Sequence, residues 1–198
     1  MSIENPEERK VVLPEPLLSG SPSSRTIGDL TREREPEYEH MFEPNQEILG
    51  HYYLPPFQRP PSWSEEQSAR LIESLHMKVS IGNFVVTNSD CKMVTVITPD
   101  GPVKRMPKTC DWLLDGQQRM RAILRYIQND LVVFKGTPHE HRYDDLDKVQ
   151  KRIFRGLTVG YTVVPAGTEE EMRRIYDLMN FGGTAHTEDQ RASNQETN

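Results

Sequence analysis

The chain has 198 residues and a formal net charge of −6. That length suits one domain of ordinary size with some excess chain, and the acidic balance excludes sequence-independent coating of nucleic acid while leaving room for a local basic groove. No apolar run approaches a membrane span and no signal-peptide core opens the chain, so a soluble, cytoplasmic protein is the expectation.

Residues 1–45 differ from the rest. Pro6, Pro14, Pro16, Pro22, Pro36 and Pro44 punctuate them, residues 19–24 are nearly all small or polar, and Glu and Arg alternate over 32–35. Few of these side chains can fill a core, so the segment reads as a disordered or loosely docked arm. Within it, Val11 to Leu13 and Leu17-Leu18 are candidate docking segments, and Thr26 to Leu30 is a candidate start of the fold.

The domain proper is expected over 46–187, with a polar tail at 188–198. His51 to Leu54 reads as a strand. It runs into a loop, residues 55–63, whose four prolines fix an extended backbone at low entropic cost and can present Gln58 and Arg59 in a set direction. Ser64 and Gln67 form a capping box for a helix lined by Leu71, Ile72 and Leu75. Strands are expected at 81–87 and 92–98, joined as a hairpin through Asn88 to Asp90, with a second turn at 99–102 and a short strand at 103–106 that pairs back across it. Cys91 and Cys110 show no disulfide framework and no metal-ligand spacing, so they read as two separate thiols.

The next stretch joins an apolar run, Trp112-Leu113-Leu114, to Asp115-Gly116 and then at once to a helix with Met120, Ile123, Leu124 and Ile127 on one face. A strand entering a helix through a tight glycine turn builds an anion site, because the helix start carries unpaired N–H groups and the positive end of the dipole. Gln117, Gln118 and Arg119 stand in the first turn, where they can face one ligand. Capping alone would account for Asp115 and Gln118, but not for Arg119, a cation that opposes the dipole. Arg119, Arg121 and Arg125 make this helix the most basic patch in the chain.

Further on, 131–134 reads as a short strand, and His139 and His141 as solvated loop residues rather than metal ligands. A helix is expected with Leu146, Val149 and Ile153 as its apolar stripe, then a strand at 157–164. Thr168 caps a last helix carrying Met172, Ile175, Tyr176 and Met179, which ends in Asn180-Phe181-Gly182-Gly183-Thr184. The mixture lacks a βαβ rhythm and fits an α+β fold, a small mixed sheet flanked by helices.

Three segments together, residues 54–67 around Gln58-Arg59, residues 114–119 (Leu-Asp-Gly-Gln-Gln-Arg) and residues 180–184 (Asn-Phe-Gly-Gly-Thr), resemble the DUF262 family. That family has a ParB/sulfiredoxin-like fold and supplies the N-terminal domain of GmrSD-type restriction enzymes. The resemblance covers about 46–187. It implies nucleotide binding with hydrolysis coupled to DNA recognition or nicking, and an NTP cofactor with Mg²⁺. Asp115 and Arg119 would be catalytic. Gly116, Gln117 and Gln118 would bind phosphate, Gln58 and Arg59 would approach from the opposite side, and Asn180, Gly182, Gly183 and Thr184 would form the rim, with no resident metal site. Phe181 and His186 depart from the usual rim pattern. The sequence stops soon after that rim and contains no His-Asn-His constellation, so a nuclease or effector function is expected from a protein partner. The other function left open is a non-catalytic ParB-like DNA- or protein-binding regulatory module acting in phage or mobile-element defence or counter-defence.

Overall fold

The structure, a computed structural model, describes residues 20–33, 46–88 and 90–181. Eight strands are formed over these residues: β1 (Ser21–Thr26), β2 (Ile48–Leu49), β3 (Tyr52–Tyr53), β4 (Asn83–Thr87), β5 (Val94–Thr98), β6 (Gly101–Arg105), β7 (Leu113–Asp115) and β8 (Thr158–Val164). The helices are α1 (Ile27–Leu30), α2 (Glu65–His76), α3 (Gln117–Ile127), α4 (Lys148–Gly156) and α5 (Glu169–Phe181).

The central sheet runs β1-β8-β4-β7. Its β4–β8 pair is parallel and its two outer pairs are antiparallel, so it is a mixed sheet of α+β type. The helices cover both faces. On one face, Phe84, Val86 and Leu113 pack with Leu71 and Ile72 of α2 and Met120 and Ile123 of α3. On the other, Leu114 and Val164 pack with Trp112, Phe57 and Met172, Ile175 and Tyr176 of α5. Burial of these apolar faces holds the layers together. Among the described residues no helix is long and apolar enough to cross a membrane.

The fold begins earlier than residue 46. Ser21 to Thr26, which composition places in the arm, pair antiparallel with β8 along their whole length. Thr26 then caps α1 by accepting from the Asp29 N–H at 3.0 Å, and Ile27 and Leu30 are fully buried. The docking segments at 11–18 lie outside the described residues.

Pairing differs from expectation in two further places. The strand at 83–87 does not form a hairpin with the next one, because β4 is an interior strand flanked by β8 and β7. The second turn does form the expected hairpin, β5–β6, closed by Thr98 Oγ1 donating to the Gly101 carbonyl at 2.7 Å. Residues 131–134 make a single bridge, Val133 to His141, rather than a strand. Cys91 and Cys110 are not separate thiols: they pair as a disulfide across the base of that hairpin, with Cα atoms 6.2 Å apart.

The capping boxes stand where the sequence puts them. Ser64 and Gln67 satisfy each other's N–H groups at the start of α2, and Thr168 and Glu171 do so at the start of α5. Of the stripe expected on α4 only Leu146, just before the helix, packs against the core. Val149 and Ile153 are each 58% exposed, and Phe154 is the residue that buries, among Tyr126, Tyr143 and His76.

Candidate functional site

The β4–β7 pairing aims the site. Val85 stands opposite Asp115 and Val86 opposite Leu113, so Leu114 is one residue extra on β7. A bulge of this kind bends its strand and re-aims side chains. Leu113 and Leu114 anchor opposite faces of the sheet, and the chain leaves it at Asp115.

Helix α3 starts one residue later than a capping reading of Asp115 requires. Its N-cap is Gly116, at φ 106° and ψ 9°, and no side chain caps it. A side chain is excluded twice over: the left-handed φ is costly for other residues, and a Cβ would collide with the Phe84 ring. The first-turn N–H groups of Gln117, Gln118 and Arg119 have no intrahelical acceptor, as at any helix start.

Asp115 is instead held by two donors. Gly116 N–H donates to its Oδ1 at 2.7 Å, and Arg119 Nη2 donates to its Oδ2 at 2.7 Å. Arg119 is itself fixed. Its Nη1 donates to the Ile81 carbonyl at 3.1 Å, and its guanidinium lies 5.0 Å from the Phe84 ring centroid. A Cβ on Gly82 would come within 2.8 Å of Nη1, so Gly82 makes the room that Arg119 occupies. Arg119 is 14% exposed at its side chain and Asp115 42%, so the carboxylate is the more accessible partner.

The proline loop meets this turn directly. Gln58 Nε2 donates to the Leu113 carbonyl, tying the loop to β7 two residues before Asp115. Gln118 bridges to the same loop through two long hydrogen bonds, from the Ser62 N–H at 3.4 Å and to the Pro60 carbonyl at 3.5 Å. Arg59 Nη2 donates to Asn180 Oδ1 at 3.4 Å, and Asn180 Nδ2 donates to the Tyr176 carbonyl at 2.8 Å, which joins the loop to α5.

Between these three elements lies a cavity of about 310 Å³. Gln58, Arg59, Asp115, Gly116, Gln117, Gln118, Arg119 and Asn180 all line it, so the structure brings together the sequence-derived residues that it describes. Gly182, Gly183 and Thr184 lie outside the described residues. Sequence reading missed Ser62, Trp63 and Tyr176, which complete the wall. Tyr176 was legible only as a core residue, and Trp63 only as part of a loop. Asp115 is the one acid among the lining residues, against the cations Arg59 and Arg119. The balance favours an anion.

His139 and His141 stand apart from this cavity. His141 is half-buried rather than solvated, and its Nε2 lies 2.9 Å from the Tyr126 hydroxyl. Among the described residues no group of three or more His, Cys, Asp and Glu side chains is placed to hold a metal ion.

The family model described as GmrSD restriction endonuclease, N-terminal domain, matches residues 38–190, most of the chain. The chain belongs to this family. The matched span of the GmrSD N-terminal domain takes in the proline loop, the Asp115–Arg119 turn and α5, the three walls of the cavity. It leaves out β1 and α1, so this chain completes its sheet with a strand that precedes the matched span. No match was found among curated proteins or solved structures.

Proposed function

We propose that the cavity between the proline loop, α3 and α5 binds the phosphate chain of a nucleotide, and that the domain is a nucleotide-responsive module of a restriction system. The carrying observation is the start of α3. A left-handed glycine caps it without any side chain, its first-turn N–H groups border the cavity, and Arg59 stands in the opposite wall. Backbone N–H groups at a helix start, the dipole and a guanidinium together suit phosphate oxygens. In this reading Gly116, Gln117 and Gln118 supply the N–H groups, Gln58 and Arg59 close from the loop, and Asn180 holds Arg59. Gly182, Gly183 and Thr184 would form the rim, as the family resemblance implies.

In this reading the two catalytic candidates have different tasks. Arg119 acts through Asp115, holding the carboxylate in one orientation. Asp115 orients water against the terminal phosphate in the hydrolytic form of the proposal. As the one carboxylate in the wall, Asp115 offers a single ligand to a cation, so Mg²⁺ would arrive on the triphosphate and gain at most this contact. Nicking of DNA would then need groups from a partner.

A second reading, binding without turnover, is favoured by one observation: both Asp115 oxygens are already engaged by donors. Calorimetry with each NTP and Mg²⁺, followed by phosphate release with and without duplex DNA, separates the two. Binding with release that Asp115→Ala abolishes supports hydrolysis. Binding with no release in either protein supports the regulatory module. No binding at all refutes the nucleotide site.

A further inference from the structure

The sheet edges of the molecule are guarded, with one exception. An edge strand offers unpaired N–H and C=O groups to any other strand, and short length, charges, proline or a bulge prevent such pairing. The central sheet ends in β1, which carries Pro22 and Arg25, and in β7, which is three residues long, bulged and closed by Asp115. β2 and β3 have two residues each. In the β5–β6 hairpin, β6 carries Pro102, Lys104 and Arg105. β5 reads Val-Thr-Val-Ile-Thr, with no charge and no proline, and its register with β6 is unbroken over all five residues. Among the described residues no strand pairs with its outer edge.

This hairpin is also short of a core. Among the described residues no side chain of β5 or β6 packs in either apolar cluster, and Ile97 is 78% exposed. A two-stranded ribbon is marginal by itself, and a third strand or a packed face is what makes one stable. Here the Cys91–Cys110 disulfide staples the base of the ribbon and holds it out from the domain. Val94, Val96 and Val103 share one of its faces, because side chains alternate along a strand and Val96 stands opposite Val103.

We infer that β5 pairs antiparallel with β5 of a second copy of this chain, about a two-fold axis at Val96. Val96 then faces its own counterpart, Thr95 faces Ile97, and Val94 faces Thr98, all uncharged and β-branched, as neighbouring strands favour. The same axis brings Lys92 of one copy to Asp100 of the other, at both ends of the paired segment. Both residues are exposed and neither has an ion-pair partner among the described residues. Moving the axis to either side of Val96 sets Lys92 against Pro99 or Gly101 and loses both charge pairs, so charge selects the register. The contact is isologous and uses up both unguarded edges, so it closes at two copies as a four-stranded ribbon. Five residues a side make a small interface, and the dimer is accordingly weak and dependent on concentration.

The test is sedimentation velocity on the full chain, from low to high micromolar concentration. The mass is expected to rise from that of one chain to that of two and stop there. Val96→Lys sets like charges against each other at the axis and is expected to raise the dissociation constant about tenfold or more. Lys92→Asp and Asp100→Lys each oppose like charges at both ends and should raise it about threefold. Mixed in equal amounts, these two variants regain both charge pairs between unlike copies and should recover the parent's association. A single-chain mass at every concentration overturns the proposal and leaves the edge to a strand of another protein. A mass that climbs past two copies overturns the isologous closure. Dimers that Val96→Lys leaves unchanged overturn the β5 contact. Charge variants that associate as the parent does, alone and mixed alike, overturn the register centred on Val96. Circular dichroism checks the fold of each variant, and the two charge changes, both at exposed positions, keep the test decisive where Val96→Lys loosens the hairpin.

Discussion

The two ends of α3 are built on opposite principles. Its start is open: a glycine cap, no capping side chain, and walls of amides and guanidiniums around a cavity. Its last turns are shut. Tyr126 is fully buried, edge-on to His76, Tyr143 and Phe154, and its hydroxyl lies 3.0 Å from His76 Nε2 and 2.9 Å from His141 Nε2. One end of the helix is packed into the core, and the other carries no side-chain cap. Packing of α2 on α3 and the aromatic cluster hold the axis, and the bulge at Leu114 then fixes where the axis begins.

The largest way to break this contrast is Gly116→Ala. The substitution carries the strain of a left-handed φ and the clash with Phe84, a loss of about 3 kcal/mol of stability by the usual scales for strain and overpacking. The urea midpoint should fall accordingly, and nucleotide binding should fall with it. An unchanged midpoint would mean that the turn relaxes without cost and that Gly116 is not required by geometry.

Arg119→Ala comes next. It removes the partner of Asp115, a bond to Ile81 and the contact with Phe84, and should cost about 1–2 kcal/mol, with the accessible carboxylate screened by water. Arg119→Lys should recover little of this, because an ammonium lacks the planar fork that reaches Asp115 and Ile81 together. Full recovery by lysine would reduce Arg119 to a point charge. Asp115→Ala, by contrast, carries no capping loss, since Gly116 holds the cap position.

Local signals in the sequence survived into the structure, including the β5–β6 pairing across a tight turn, and the long-range pairings did not. The capping boxes at Ser64 and Thr168, the apolar face of α3 and the Asp115–Arg119 turn depend on residues three or four apart, and each is in place. Whether β4 pairs with β5 or with β8 depends on a strand more than seventy residues away, and nothing in residues 83–98 distinguishes a hairpin from two strands that part. β1 was illegible for a related reason. As an edge strand it is held by backbone hydrogen bonds to β8 and leaves five of its six residues exposed, so a Ser-rich sequence without alternation serves. In the site, the proline loop singled out Gln58 and Arg59 without showing what they face, and Asn180 was found only through the family resemblance, because their convergence is tertiary. Capping was the competing explanation for Asp115, and it fails because Gly116 holds the cap position; a glycine N-cap leaves no side-chain signature, so the acid beside it looked like a natural candidate.

Tyr126→Phe sharpens the comparison from the closed end. It deletes the hydroxyl that lies between His76 and His141 while keeping the ring in its aromatic cluster. The loss should be about 1–2 kcal/mol, the scale of buried hydrogen bonds left half-made, with ligand affinity at the far end of α3 unchanged. A fall in affinity equal to the fall in stability would show that the two ends are coupled rather than divided.

The last test is a dependence on pH. His141 Nδ1 lies 2.6 Å from the His139 carbonyl and must donate to it, so in the neutral ring Nε2 accepts from Tyr126, and Tyr126 in turn accepts from His76 Nε2. Burial, with His141 beside it, pulls the His76 pKa from 6.5 down to about 4. Between those values the unfolded chain binds more protons at this residue than the folded one, so stability rises with pH there. The contribution is complete above about pH 6.5 and is lost as pH falls toward 4. His76→Gln keeps an N–H that can reach Tyr126 but cannot titrate, and it should flatten the slope of stability against pH in that window without altering it above pH 7. An unaltered slope would place the acid sensitivity in the carboxylates and leave His76 as packing alone.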